Sequence, residues 1–425
     1  MNLRLRRNRE RRSVISREEI DAKSAELGVG PSHVQRDYVF GWLLAGLYGE
    51  SRLGDHLVLK GGNALRKGYF GNTRFSEDLD FAFPGRIDPQ DFLDALNDIG
   101  RMAQARTGVQ FHLDRTEQLS RESINREQTV YTYRLFFTDF YGKSSNVPVS
   151  LHLDVTEFTR LQLPPRSRAL IHPYSDHEAC AAHVSVISLE EALADKLKCL
   201  LQRRSIHDLF DLAYSTFVNG EIQVDKRNVV TTFLRKTIFA PSPGAALNLL
   251  SAIPFDSMRH LWDSTITCAR GSLPEFTDTV ARWKTELDLL FADFPRGQRS
   301  EAAFYPAHLR TPIMEAGAER KLVRLTYDGR ERLVEPYALR FKRRKDGVGQ
   351  EYLYVWDRTG GRTGPNIKSW LHYKIGNLTV TDERFEPRYE VELAKAGEFS
   401  DRLGFSRRTR RHVITPPSGR RVRRR

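Results

Sequence analysis

The alternation of apolar and polar positions divides the chain into a mixed front and a strand-rich end. "SREEIDAKSAELG" (16–28) and "SHVQRDYVFGWLLAGLYGE" (32–50) repeat apolar residues at three and four. They predict two helices, with Ser16 and Ser32 as N-caps. A strand "HLVLK" (56–60), a glycine turn and a second strand "DLDFAF" (78–83) follow, and "PQDFLDALNDIGRMAQAR" (89–106) is a helix with proline near its start. "TVYTYRLFFTDF" (129–140) and "VPVSLHLDVTEF" (147–158) alternate with period two and predict neighbouring strands. Beyond a proline-rich connection from Leu163 to Tyr174, Ser188 and Glu191 form a capping box. The helix it opens is expected to continue through residues 189–212. Residues 225–295 are helical in pattern, broken at "APSPGA" (240–245). Near residue 300 short β-type runs take over, among them "KLVRLTYDG", "RLVEPYALRFK", "EYLYVWD" and "NLTVTDERF". They predict a small antiparallel barrel or sandwich after a boundary around 296–318.

Charge changes this picture at the ends. The net charge is +13, yet the last twenty residues hold nine arginines and no acid, and the first twelve hold six arginines and one glutamate. The interior is thus near −1, and the basic character belongs to an arm (1–15) and a tail (396–425), both expected to be disordered. Such arms serve either solubility and nonspecific attraction to polyanions or a specific contact with RNA. Three widely spaced cysteines with no CxxC pair argue against a thiolate zinc site and fit a reducing cytoplasm. No apolar run approaches the ~20 residues of a membrane span, so no membrane partner is expected.

The candidate chemistry lies in "VLKGGNALRKGYFGNTRFSEDLDFAF" (58–83). Asp78 and Asp80 share one face of their strand, ~7 Å apart, with Leu79 and Phe81 on the other. In "LHLDVTEF", His152 and Asp154 take one face and Leu151, Leu153 and Val155 the other, so Asp154 can complete a three-carboxylate cluster if the strands are neighbours. Such a cluster suits magnesium, and two ions ~4 Å apart would align a hydroxyl with a triphosphate. Gly61 and Gly62 let backbone N–H groups approach phosphate oxygens, with Asn63 beside them and Lys60, Arg66 and Lys67 near. Arg74 braces the loop or contacts phosphate, and Ser76 caps it. A phosphate or nucleotide attached to Ser76 would set negative charge beside the site. On a continuous helix Lys196, Arg203 and His207 fall within about 40° of one another, a basic stripe suited either to phosphate or to solvent.

"KGGNALRKGYFGNTRFSEDLDF" resembles the first motif of the polymerase-β-type nucleotidyltransferases, and within them the AbiEii-type (MenT-like) toxins. The resemblance extends through "QRDYVFGWLLAGL" and "SLEEALADKLKCLLQRRSIHDLFDL", over about residues 16–220. It implies an α/β (α+β) nucleotidyltransferase fold with a helical extension (221–300), and metal ligation by Asp78, Asp80 and Asp154. It also gives functional weight to Lys196 in "DKL" and to Asp208 in "HDLFDL", where Asp208 would position the neighbouring bases or an acceptor group. Asn63 stands where Thr or Ser is usual, and His207 where arginine is. The activity implied is Mg-dependent transfer of NMP from NTP, with two Mg ions or Mn in their place. RNA, in particular the 3′ end of tRNA, would be the acceptor, and a cognate antitoxin of winged-helix type the partner. The alternatives are modification of a protein or small molecule, or a nucleotide-sensing, nucleic-acid-binding regulator.

"VEPY" (334–337), Tyr352–Leu353 and "TDERF" resemble a WYL domain, an Sm/SH3-like all-β fold, over roughly residues 320–390, which places such a domain at 318–395. Glu351 replaces its tryptophan. The resemblance implies a nucleic acid or nucleotide-like ligand, with Arg340, Tyr352, Trp356, Trp370 and Lys374 as candidates. Barrel core is the competing reading for these aromatics.

Overall fold

The computed structural model describes residues 15–123, 128–140, 149–202, 205–296, 303–343, 349–389 and 391–393. Both basic ends, and Arg203, lie outside them. The chain forms two compact units, residues 1–301 and 302–425.

In the first unit α1 (Arg17–Leu27) begins where Ser16 accepts the Glu19 N–H and ends at Gly28 in the left-handed region. The next helix, α2 (Pro31–Gly49), starts one residue before the expected cap. Gly30 takes the cap position and Pro31 the first turn, where proline's missing N–H costs nothing, so Ser32 lies inside the helix.

The seven-stranded sheet has the order β3-β4-β5-β2-β1-β7-β6. Its strands are β1 (Val58–Lys60), β2 (Asp78–Ala82), β3 (Glu117–Ser123), β4 (Thr129–Phe137), β5 (Val149–Thr156), β6 (Arg166–Ala169) and β7 (His183–Val186). Between them, α3 (Gly61–Gly68) follows β1 without a linker and α4 (Pro89–Thr107) follows β2. The period-two runs of β4 and β5 pair antiparallel, as their alternation suggests. Two strands carry no such signal. "EQLSRES" of β3 and "RSRA" of β6 are polar edge strands, and β6 lies within the stretch read as a connection. An edge strand exposed to water needs no apolar face, so pattern is silent there.

Leu59, Leu79, Phe81, Leu153 and Val155 are fully buried on one face of the central strands, each worth about 1.5–3 kcal/mol. The helix expected over 189–212 is two helices, α5 (Leu189–Gln202) and α6 (Ile206–Ala213). Ser205 is extended (ψ 133°) and restarts the chain, so the stripe geometry drawn for one helix does not apply. The capping box is half made. The Ser188 hydroxyl accepts the Glu191 N–H, while the buried Glu191 carboxylate accepts N–H groups of Gln162 and Leu163 and pairs with Lys236. Helices α7 (Lys226–Arg235), α8 (Pro243–Ser251), α9 (Arg259–Thr265) and α10 (Phe276–Leu290) complete the unit.

The second unit opens with α11 (Ala307–Glu319), followed by β8 (Lys321–Tyr327), β9 (Arg330–Arg343), β10 (Gly349–Asp357), β11 (Asn366–Trp370) and β12 (Ile375–Arg384). The strands form an antiparallel sheet of order β11-β10-β9-β8-β12. Ile313 and Met314 of α11 join Val323, Val334, Leu353 and Val355 in its core.

Candidate active site

Strand register assembles the site. β1 runs antiparallel to β2, and β5 runs parallel to it, so Lys60, Asp80 and Asp154 are direct partners across three strands. Their side chains share the face opposite the apolar core. Asp78 lies one rung away on that face, across from His152. All three aspartates are half-buried. The Asp80 carboxyl is pushed up by burial; Lys60 opposes this, and Asp78 and Asp154 reinforce it. Three carboxylates in one place therefore repel unless a cation joins them.

Gly61 is both the first residue of α3 and the close neighbour of Asp80. Its φ is +70°, and a Cβ there would come within 2.1 Å of Asp80 Oδ2. A Cβ on Gly62 would meet Ser76 Oγ at 2.7 Å. Gly61→Ala is thus doubly excluded, by backbone conformation and by the carboxylate. We expect it to lose about 1–3 kcal/mol of stability and most of its transferase activity, checked by thermal melts and a labelled-nucleotide assay on the same preparation.

Ser76 donates to Asp78 Oδ1 at 3.0 Å. Asn63 is turned inward: its amide donates to the Asp78 carbonyl and its Oδ1 is buried with no hydrogen-bond partner. The side chain therefore ties α3 to β2, and what remains for phosphate at this position is the backbone N–H.

Behind the rung sits a buried charge network. Lys196 of α5 reaches Asp208 Oδ1 at 3.0 Å and Asp211 Oδ2 at 2.7 Å on α6. Arg74 grips both Asp211 oxygens, at 2.8 and 2.9 Å. Burial opposes the charge on Lys196, but Asp211 and Asp208 outweigh it and hold the ammonium above its ordinary value. Asp211 is likewise opposed by burial, yet Arg74 and Lys196 bring it down to about 2. The break between α5 and α6 makes this contact: it folds Asp208 and Asp211 back onto Lys196. His207 faces another way, its Nε2 3.2 Å from the Thr265 carbonyl, with burial and then Arg74 lowering its basicity.

Arg66 and Lys67 turn away from the glycine turn. Both are buried on Asp37 of α2, at 2.6 and 2.9 Å, and Tyr174 donates to the same carboxylate. Asp37 was legible as a lone acid in the apolar helix "DYVFGWLL", a placement that demands buried cations.

In the second unit Arg340 is buried against Glu392, with contacts of 3.0 and 2.9 Å. Trp370 stacks on Tyr327 in the core, ring centroids 4.5 Å apart, and Lys374 pairs with Asp328 at 3.0 Å. Tyr352 is half-buried; Trp356, also half-buried, lies beneath the Arg388 guanidinium at 4.8 Å. Glu351, at the position of the expected tryptophan, is fully buried, accepting the Tyr305 N–H at 2.8 Å and pairing with Arg310 at 2.7 Å.

Among the described residues, no three His, Cys, Asp or Glu side chains converge closely enough to hold a metal ion as they stand. The donor chemistry nonetheless suits a hard cation, since Asp154 Oδ1 is buried without a hydrogen-bond partner beside two further carboxylates.

A mixed sheet presenting paired aspartates beside a glycine-started helix describes a nucleotidyltransferase, and comparison with known proteins agrees. Residues 42–242 match the family described as "Nucleotidyl transferase AbiEii toxin, Type IV TA system". The protein is a nucleotidyltransferase, and its residues 42–242 are similar to the AbiEii toxin family. Among solved structures, the chain aligns with MenT4, a nucleotidyltransferase toxin from Mycobacterium tuberculosis H37Rv. The identity is 19%, the coverage 65% of this chain and 90% of that one, and the TM-score 0.41. No curated protein matches significantly. No helix among the described residues is long and apolar enough to cross a membrane.

Proposed function

We propose that this site transfers NMP from an NTP to a hydroxyl acceptor, the 3′ end of a tRNA. The observation that carries the reading is the Lys60–Asp80–Asp154 rung set against the first residues of α3. Asp78, Asp80 and Asp154 would hold Mg²⁺, as two ions or with Mn²⁺ in their place; such a metal neutralises the triphosphate and the departing pyrophosphate. The chain's own groups do the rest. N–H groups of Gly61, Gly62 and Asn63 at the start of α3 favour an anion. As the acceptor oxygen bonds to the α-phosphorus, Asp154 takes its proton, and the bond to the bridging oxygen breaks so that pyrophosphate leaves with the electron pair. Lys196 and Asp208 support the site from behind.

The setting that fits this reading is a bacterial cytoplasm, with a small winged-helix antitoxin as partner. The C-terminal unit reads as a WYL-like, Sm/SH3-type module in which Tyr352 and Trp356 offer partly exposed rings to a nucleic acid or nucleotide-like ligand. The test is to incubate the purified chain with each α-labelled NTP, Mg²⁺ and total RNA. Label in the tRNA fraction is expected. Label on protein or a small molecule would replace the acceptor, and no label in any fraction would overturn the reading.

A further inference from the structure

Two lysines border the acidic rung, and their surroundings differ in kind. Lys196 is buried and held by two carboxylates, Asp208 at 3.0 Å and Asp211 at 2.7 Å. A cation already matched by two anions has little charge left for a phosphate. Nearby cations are similarly committed. Arg74 is bidentate on Asp211, and Arg66 and Lys67 share Asp37.

Lys60 is placed otherwise. It is half-buried and directly opposite Asp80 in the β1–β2 register. Its ammonium makes no hydrogen bond or ion pair among the described residues. It is also the N-cap residue of α3, with no side-chain cap bond, so its side chain leaves the backbone where the helix's first N–H groups begin. Its field is felt at Asp80, where it is the largest influence opposing the upward push, and also at Asp195. An ammonium without a partner, beside the first N–H groups of a helix, is available to an arriving phosphate.

We infer that Lys60, rather than Lys196, is the cation that binds the triphosphate of the NTP, while Lys196 serves the buried frame. This rests on the proposed transfer reaction and assigns one substrate contact within it. The geometry supports it twice over: Lys60 is on the rung of the carboxylates and at the anion-favouring end of α3, whereas Lys196 is spent on its own neighbours.

The test compares Lys60→Met, Lys60→Arg and Lys196→Met in the full chain, measuring NTP and NMP binding by equilibrium dialysis with Ca²⁺ in place of Mg²⁺ to stop turnover. Lys60→Met should weaken NTP binding about 10- to 100-fold, the scale of one charge-assisted hydrogen bond. It should change NMP binding less than about twofold and leave the melting temperature unmoved, and Lys60→Arg should recover most of the loss. Lys196→Met should lower the melting temperature. Wild-type affinity for NTP in a folded Lys60→Met would overturn the assignment while leaving the transferase reading intact, as would equal losses for NTP and NMP. A wild-type chain that binds none of the four NTPs would overturn both.

Discussion

Asp80→Asn is expected to melt at or slightly above the wild-type temperature while losing at least about 1,000-fold in nucleotide transfer. The two effects have one origin. Burial, joined by Asp78 and Asp154, pushes the Asp80 carboxyl up, so the folded chain holds an acidic group in a place that disfavours its charge. The amide has nearly the same shape and removes that repulsion, worth up to about 1 kcal/mol of added stability. It also removes the carboxylate proposed to hold metal from the centre of the Lys60–Asp80–Asp154 rung. Thermal melts alongside label transfer check both halves. A variant that loses stability and activity together would make Asp80 a structural residue.

Asp211→Ala should behave in the opposite way, with a loss of about 3–5 kcal/mol of stability. Asp211 is fully buried between Arg74 and Lys196, and its removal strands Arg74 and leaves Lys196 with Asp208 alone within that network. The sign of the pH dependence follows from its lowered carboxyl. The stabilisation is present above the ordinary carboxylate value of 3.8 and is lost as pH falls through about 2. Melting curves of wild type and Asp211→Asn should therefore lie far apart at neutral pH and converge toward pH 2. A constant gap across that range would place the stabilisation elsewhere.

How much of this was legible depended on whether a residue's role is local. "DLDF" and "LHLDVTEF" each announce their faces by alternation, and pairing two such strands brings Asp80 beside Asp154. The glycine pair announces close approach, and Gly61 meets Asp80. Residues whose partners are distant in sequence were harder to place. Arg66 and Lys67 follow the glycines closely enough to suggest phosphate, yet they neutralise Asp37, about 30 residues earlier. Lys196 reads as part of a basic stripe only while residues 189–212 form one helix. The extended Ser205 breaks that helix and delivers two aspartates to it instead. In the C-terminal unit Arg340 and Trp370 resemble ligand-binding residues in type, but Glu392 and Tyr327 occupy them internally. Composition tells that a cation or a ring is present; only the fold tells whether it is already engaged.

The proposed reaction cleaves NTP between the α- and β-phosphates at the Lys60–Asp80–Asp154 rung and keeps the α side on the acceptor. Its most direct measurement follows two labels on the NTP in parallel reactions with total RNA. α-Phosphate label is expected to become bound to the acceptor while γ-phosphate label is released as pyrophosphate in equal amount. Label from the γ-phosphate on the acceptor, or γ-label released as free orthophosphate with no α-label transferred, would contradict it.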